Sequence, residues 1–144
     1  MKKLYFILLL IFLTGVPLTA HGHLTPEQRK EYREYKMKFL AQEMGIKDEV
    51  RNKFFEVYNQ LSDERQSVRR EIHEINKKIK ENKATEEDYS TLNRLRDQDA
   101  EIDKKFDARF ATFLSGKEIF KMKEAENTFR KKLHEMKAKK DKKK

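Results

Sequence analysis

Four histidines, His21, His23, His73 and His134, are the side chains in this chain best suited to chemistry, and there is no cysteine. His21 and His23 come directly after Ala20. A cut after Ala20 would leave a free amine ahead of His-Gly-His. With a histidine in third position, the amine, two backbone nitrogens and an imidazole form a square-planar set suited to Cu(II) or Ni(II). The competing reading makes residues 21–25 a plain linker and leaves the protein without a cofactor. His73 and His134 stand singly among charged neighbours and are read as solvent-facing. No spacing matches a conventional zinc site.

An enzyme is not expected. Covalent catalysis needs an activated nucleophile beside an oriented base in a site that excludes water. The sequence offers no phosphate-binding loop, no Gly-rich turn and no metal-ligand helix motif. The aromatic side chains are the other candidate group. Phe54, Phe55, Tyr58, Phe106, Phe110 and Phe113 form the densest set, with Phe120 further on. Most of them fall at core spacing. Phe55 and Phe120 lie one position off the apolar stripes and are candidates for a surface that meets polypeptide.

The elements that must position these residues begin with a leader. Lys2 and Lys3 precede an uninterrupted apolar run over residues 4–13, then small and turn-forming residues lead to Ala20. This is the layout of a secretory signal peptide over residues 1–20. The run is about half the roughly 20 residues that span a bilayer, so a cleaved leader is expected rather than an anchor. Without cysteine, neither lipid attachment through a thiol nor a disulfide framework is available to the exported chain.

Beyond the leader the composition favours long helices, and an all-α protein is expected. Thr25, Pro26 and Gln28 form a helix start with reciprocal capping, and Gly45 ends that helix after about Met44. Asp48 is the next expected cap. Ile46, Val50, Phe54, Tyr58, Leu61, Val68, Ile72, Ile75 and Ile79 then trace one stripe, which predicts a second helix to about Asn82. Thr85 with Asp88 starts a third helix along Tyr89, Leu92, Leu95, Ile102, Phe106, Phe110 and Phe113, with a polar gap at Gln98 and Asp99. Ser115 with Glu118 starts a fourth, lined by Ile119, Met122, Phe129, Leu133 and Met136. Glu74 with Lys78 and Glu101 with Lys105 are spaced for pairs along their own helices.

The second and third helices, about 52 and 42 Å long at 1.5 Å per residue, are joined by a short turn and should lie antiparallel. The predicted molecule is an elongated helical hairpin with two long central helices. One apolar stripe on each is too little cover for a ball, so a homodimer is expected. The remaining concave surface would set Phe, Tyr and Met beside Lys and Arg, which suits unfolded polypeptide better than a small molecule.

The formal net charge of +9 divides unevenly. Loss of Lys2 and Lys3 leaves 32 basic against 25 acidic residues, or +7, and residues 137–144, six Lys and one Asp, hold +5 of that. A nucleic-acid binder would carry its basic excess on the folded surface, so nucleic acid is not an expected partner. The Lys-rich tail over 137–144 is read as disordered; the alternative is weak contact with an anionic membrane surface or acidic partner.

The stretches "FLAQEMGIKDEVRNKFFEVYNQL", "KATEEDYSTL" and "KKFDARFATFLSGKEIFKMKEAENTFRKKLHEM" resemble the Spy and CpxP family of periplasmic four-helix proteins, in particular its Bacteroidetes-type members, over about residues 35–136. That family opens its second and fourth helices with Leu-Thr-x-x-Gln. The matching positions here read Ile46-Lys47-Asp48-Glu49-Val50 and Leu114-Ser115-Gly116-Lys117-Glu118, and the literal string, Leu24 to Gln28, opens the first helix instead. The resemblance implies a helical domain over 26–136, a cradle-shaped antiparallel homodimer, and a periplasmic stress protein that holds unfolding exported proteins without nucleotide. Its alternative implication is a regulatory or metal-responsive partner of a membrane stress sensor or anti-sigma system. A structural helical interaction protein is the third reading.

Overall fold

The computed structural model describes residues 25–142, and its regular structure is entirely helical. The expected leader, the cut after Ala20, and His21 and His23 lie outside the described residues. Four helices follow in order: α1 (Pro26–Met44), α2 (Asp48–Lys80), α3 (Glu86–Phe110) and α4 (Gly116–Asp141). The described residues fall into two compact units, divided between Lys36 and Met37. In the first, the start of α1 is capped as its sequence predicts. The Gln28 N–H donates to Thr25 Oγ1 at 3.2 Å, and the Thr25 N–H donates to Gln28 Oε1 at 2.9 Å.

Within the second unit, α1 ends at Gly45 with φ +64°. The Gly45 N–H reaches the Gln42 carbonyl and the Ile46 N–H reaches that of Ala41, a Schellman closure whose left-handed residue glycine supplies without a Cβ penalty. Ile46 is buried at its end, as is Ala41. This closure moves the next helix start. Lys47, not Asp48, takes the extended N-cap conformation, and no side chain caps α2. Asp48 and Glu49 sit in the first turn instead, where negative charge meets the positive end of the helix dipole.

α2 stops at Lys80, two residues short of the expected Asn82. Asn82 adopts φ 54°, its N–H bonds to the Ile79 carbonyl, and the Lys83 N–H bonds to that of Lys78 at 2.8 Å. This is the same closure, with asparagine in the glycine position. Thr85 and Asp88 cap α3 reciprocally. α3 ends at Phe110, before Phe113, because residues 111–114 turn back on Arg109 and Phe110 carbonyls. Ser115 and Glu118 cap α4 in the same reciprocal way, at 2.7 and 3.2 Å. α4 continues to Asp141, past the expected end at Met136. Alanine and lysine are good helix formers, and nothing between 136 and 141 breaks the run.

α2 and α3 meet along a seam. Phe54 stacks near Phe110, Glu64 pairs with Lys105, Arg65 with Asp103, Arg69 with Asp99 and Lys78 with Asp88. As the α2 number rises from 54 to 78, its partner on α3 falls from 110 to 88, so the two helices run in opposite directions here. Two of these pairs displace expected ones. Lys78 and Lys105 reach across the seam at 2.7 and 2.8 Å instead of pairing with Glu74 and Glu101 on their own helices, and Glu101 faces Lys104. Val68, Ile75, Leu92 and Leu95 form a core, with Ile72, Ile79 and Ile102 packed on it. All seven belong to α2 and α3. No helix among the described residues is long and apolar enough to cross a membrane.

Candidate functional site

The seven aromatic candidates separate by burial. Phe54, Tyr58, Phe106 and Phe110 are fully enclosed, so they are core side chains and present no surface. Phe54 is the hub of this group, with ring centroids 5.5 Å from Tyr58 and 5.8 Å from Phe110. Phe55 and Phe113 are partly exposed, and Phe120 is 63% exposed. Of these seven, Phe55, Phe113 and Phe120 are the ones available to a partner, and Tyr89 on α3 is a further exposed ring. Phe113 lies 6.0 Å from Phe110 and beneath the Lys53 ammonium, 5.8 Å from its centroid.

Cations lie over several of these rings. Lys105 and Arg109 stand 5.4 and 4.9 Å from the Phe106 centroid, and Lys132 stands 5.0 Å from that of Phe39. A cation over an aromatic face is attracted by the ring quadrupole while its alkyl stem shields the ring from water. Phe55 lines an open cleft of about 390 Å³ with Lys38, Ala41, Gln42 and Arg51. Its charged lining is wholly cationic. Arg51 engages Asp48 at 3.1 Å, one turn back along α2, with Asp48 almost fully exposed.

Beneath the surface, Arg65 is the buried charge, 9% exposed. Its Nε donates to Asp103 Oδ1 at 2.9 Å, Nη2 donates to the same carboxylate, and Nη1 donates to Glu126 Oε1 at 3.3 Å. The Tyr58 hydroxyl donates to that same Glu126 oxygen at 2.6 Å. One cluster thus joins α2, α3 and α4. Burial by itself pulls the Arg65 guanidinium pKa down. The Asp103 hydrogen bond and the charges of Glu126 and Asp103 outweigh it and raise the value above the usual one. The group stays charged, and the arrangement fixes helix positions.

No protein-family model, curated protein or solved structure matches this chain.

Of the helix-start residues, Leu114 is buried, and Ser115 and Glu118 bond reciprocally behind it. Ile46 is buried likewise, but Asp48 bears no cap. His73 and His134 are exposed. Among the described residues no group of three or more His, Cys, Asp or Glu could hold a metal ion. The Arg65 cluster was not expected from the pattern. Its signal was the seven-residue step from Leu61 to Val68, which leaves Arg65 in the middle of an apolar stripe.

Proposed function

We propose that the protein is an exported, periplasmic holding chaperone that binds unfolded polypeptide without nucleotide. In this reading α2 and α3 form an elongated helical hairpin, two copies pair as a shallow cradle, and exposed aromatic side chains among cations meet the client. The observation that carries it is Phe120, a phenylalanine 63% exposed on a helix dominated by lysine and glutamate. Phe55 adds a second apolar contact beside Lys38 and Arg51. A contiguous exposed apolar patch marks an interaction surface, and in this reading Phe55 and Phe120 contribute to one. The resemblance to the Spy and CpxP family supports the same reading.

The test is suppression of aggregation of a reduced, unfolding exported protein by the mature chain. Suppression at equimolar protein, weakened severalfold by Phe55→Ser with Phe120→Ser, is expected; none at a severalfold excess would overturn the proposal. Sedimentation equilibrium reads the expected homodimer. The His-Gly-His sequence at 21–23 favours a second reading, a metal-responsive partner of a membrane sensor. Copper binding by the mature chain that is lost in His23→Ala supports it, and copper binding unchanged by that substitution removes it.

A further inference from the structure

We propose that α4 opens from α2 and α3 as a unit at the Tyr58–Glu126–Arg65 contact and thereby uncovers the Tyr58 end of the aromatic cluster to apolar polypeptide; the occupant rests on the function proposed above. Four observations carry it. First, the polar part of the tie is concentrated, beside the buried Met122, Ala125 and Phe129 of the same helix. One oxygen of Glu126 accepts from both Tyr58 and Arg65, and one α4 turn away Lys123 meets Asp107 at 2.6 Å on the surface. Phe129 of α4 stands 5.4 Å from Phe39 of α1, a tilted contact between two buried rings.

Second, opening strands no charge. Arg65 holds Asp103 on α3 through two nitrogens and Glu126 on α4 through one. When Glu126 leaves, the guanidinium keeps its α3 carboxylate, so the large penalty of an unpaired buried charge does not arise.

Third, what remains has its own core. Val68, Ile75, Leu92 and Leu95, with Ile72, Ile79 and Ile102, lie only on α2 and α3, and the seam ion pairs at Arg69 and Lys78 involve neither α1 nor α4. Fourth, α4 is complete at its start. Ser115 and Glu118 satisfy each other's backbone N–H groups without help from α3. The preceding residues 111–115 form a turn, and at Gly116 no heavy atom lies within 4 Å of where a Cβ would stand. Helices that open in this way do so as cooperative units less stable than the whole fold.

Native-state hydrogen exchange on the full chain tests this, with Glu126→Gln, which keeps an acceptor for Tyr58 but loses the charge, and Tyr58→Phe, which removes one O–H. The α4 amides should exchange faster than those around Val68, Ile75, Leu92 and Leu95. Each substitution should raise α4 exchange by about tenfold, the effect of one such hydrogen bond. Leu95→Ala, at a side chain whose core contacts lie within α2 and α3 and persist when α4 opens, should speed the seam amides and leave α4 exchange unchanged. Wild-type α4 exchange no faster than the seam, or equal acceleration of both by Leu95→Ala, would overturn the opening. Glu126→Gln should also suppress aggregation more strongly than wild type. Selective opening without that gain would overturn the polypeptide as occupant, whereas failure of wild type to suppress aggregation at all is failure of the proposed function.

Discussion

Arg65 and Asp103 face each other across the α2–α3 seam, the guanidinium Nε 2.9 Å from the carboxylate and the arginine nearly enclosed. Removing the acid leaves Arg65 with Glu126 alone. Asp103→Ala should therefore destabilise the protein by about 2 kcal/mol, the scale of a hydrogen bond to a charged group. The triple replacement Arg65→Met, Asp103→Leu and Glu126→Gln should recover most of that loss, because it removes all three charges of the cluster and leaves Tyr58 an acceptor. Urea unfolding of the single and triple variants decides it. A triple variant as unstable as Asp103→Ala would show that the ion pairs themselves, not relief from a stranded charge, stabilise the seam.

The two Schellman closures differ in one respect, glycine at 45 and asparagine at 82, both with positive φ. A Cβ at Gly45 would meet no atom within 4 Å, so Gly45→Ala pays only the backbone cost of the left-handed conformation, about 1 kcal/mol. Asn82→Gly relieves the smaller strain that asparagine bears there and should stabilise by up to about 1 kcal/mol. Opposite shifts in urea midpoint are expected from the two substitutions, and same-sign shifts would contradict this account.

Lys47 occupies the N-cap of α2 without supplying a side-chain acceptor. Lys47→Ser can bond to a free N–H of the first turn and also removes a positive charge from the positive end of the helix. A gain of about 1 kcal/mol is expected. Thermal unfolding of Lys47→Ser beside Lys47→Ala separates the cap from the charge. Equal gains in both would assign the effect to charge alone.

Asp88 links the α3 cap to the seam. The hydrogen bond from Lys78, then the Thr85 backbone N–H and hydroxyl, hold its carboxyl pKa below the usual 3.8. A carboxyl with a lower pKa folded than unfolded stabilises above its unfolded value and loses that contribution as pH falls through the folded one. Acidification from pH 5 should therefore begin to cost stability near 3.8 and continue below it. Asp88→Asn should flatten that part of the curve. Melting midpoints across pH 2 to 7 are the measurement, and parallel curves for the two proteins would remove Asp88 from the acid response.

Much of the fold was legible because its signals are local. Thr25 with Gln28, Thr85 with Asp88, Ser115 with Glu118, and Gly45 each marked a boundary that needs only neighbouring residues. Asn82 was harder to read because asparagine also sits inside helices. Side-chain pairing was illegible for a different reason. Lys78 and Lys105 had plausible partners on their own helices, and only the register of the seam brings Asp88 and Glu64 closer. The site was half legible. Helical spacing placed Phe54 and Tyr58 inside and Phe120 outside, but a stripe marks polar positions as gaps and so passed over Arg65.

Phe54 and Phe55 are adjacent in the chain and opposite in consequence. Phe54 is fully enclosed, with three aromatic neighbours in Phe55, Tyr58 and Phe110. Phe54→Ala should cost about 3 to 5 kcal/mol through lost burial and the cavity left behind. Phe55 borders the open cleft beside Lys38 and Arg51, where water and mobile side chains fill the vacated space. Phe55→Ser should change stability by less than about 1 kcal/mol, and under the proposed function it should also weaken suppression of aggregation. Paired urea unfolding and aggregation assays on the two variants separate core from surface. If Phe54→Ala alone weakens suppression, and does so only in proportion to the unfolded fraction, Phe55 plays no part in client contact and the cleft is not where polypeptide meets this protein.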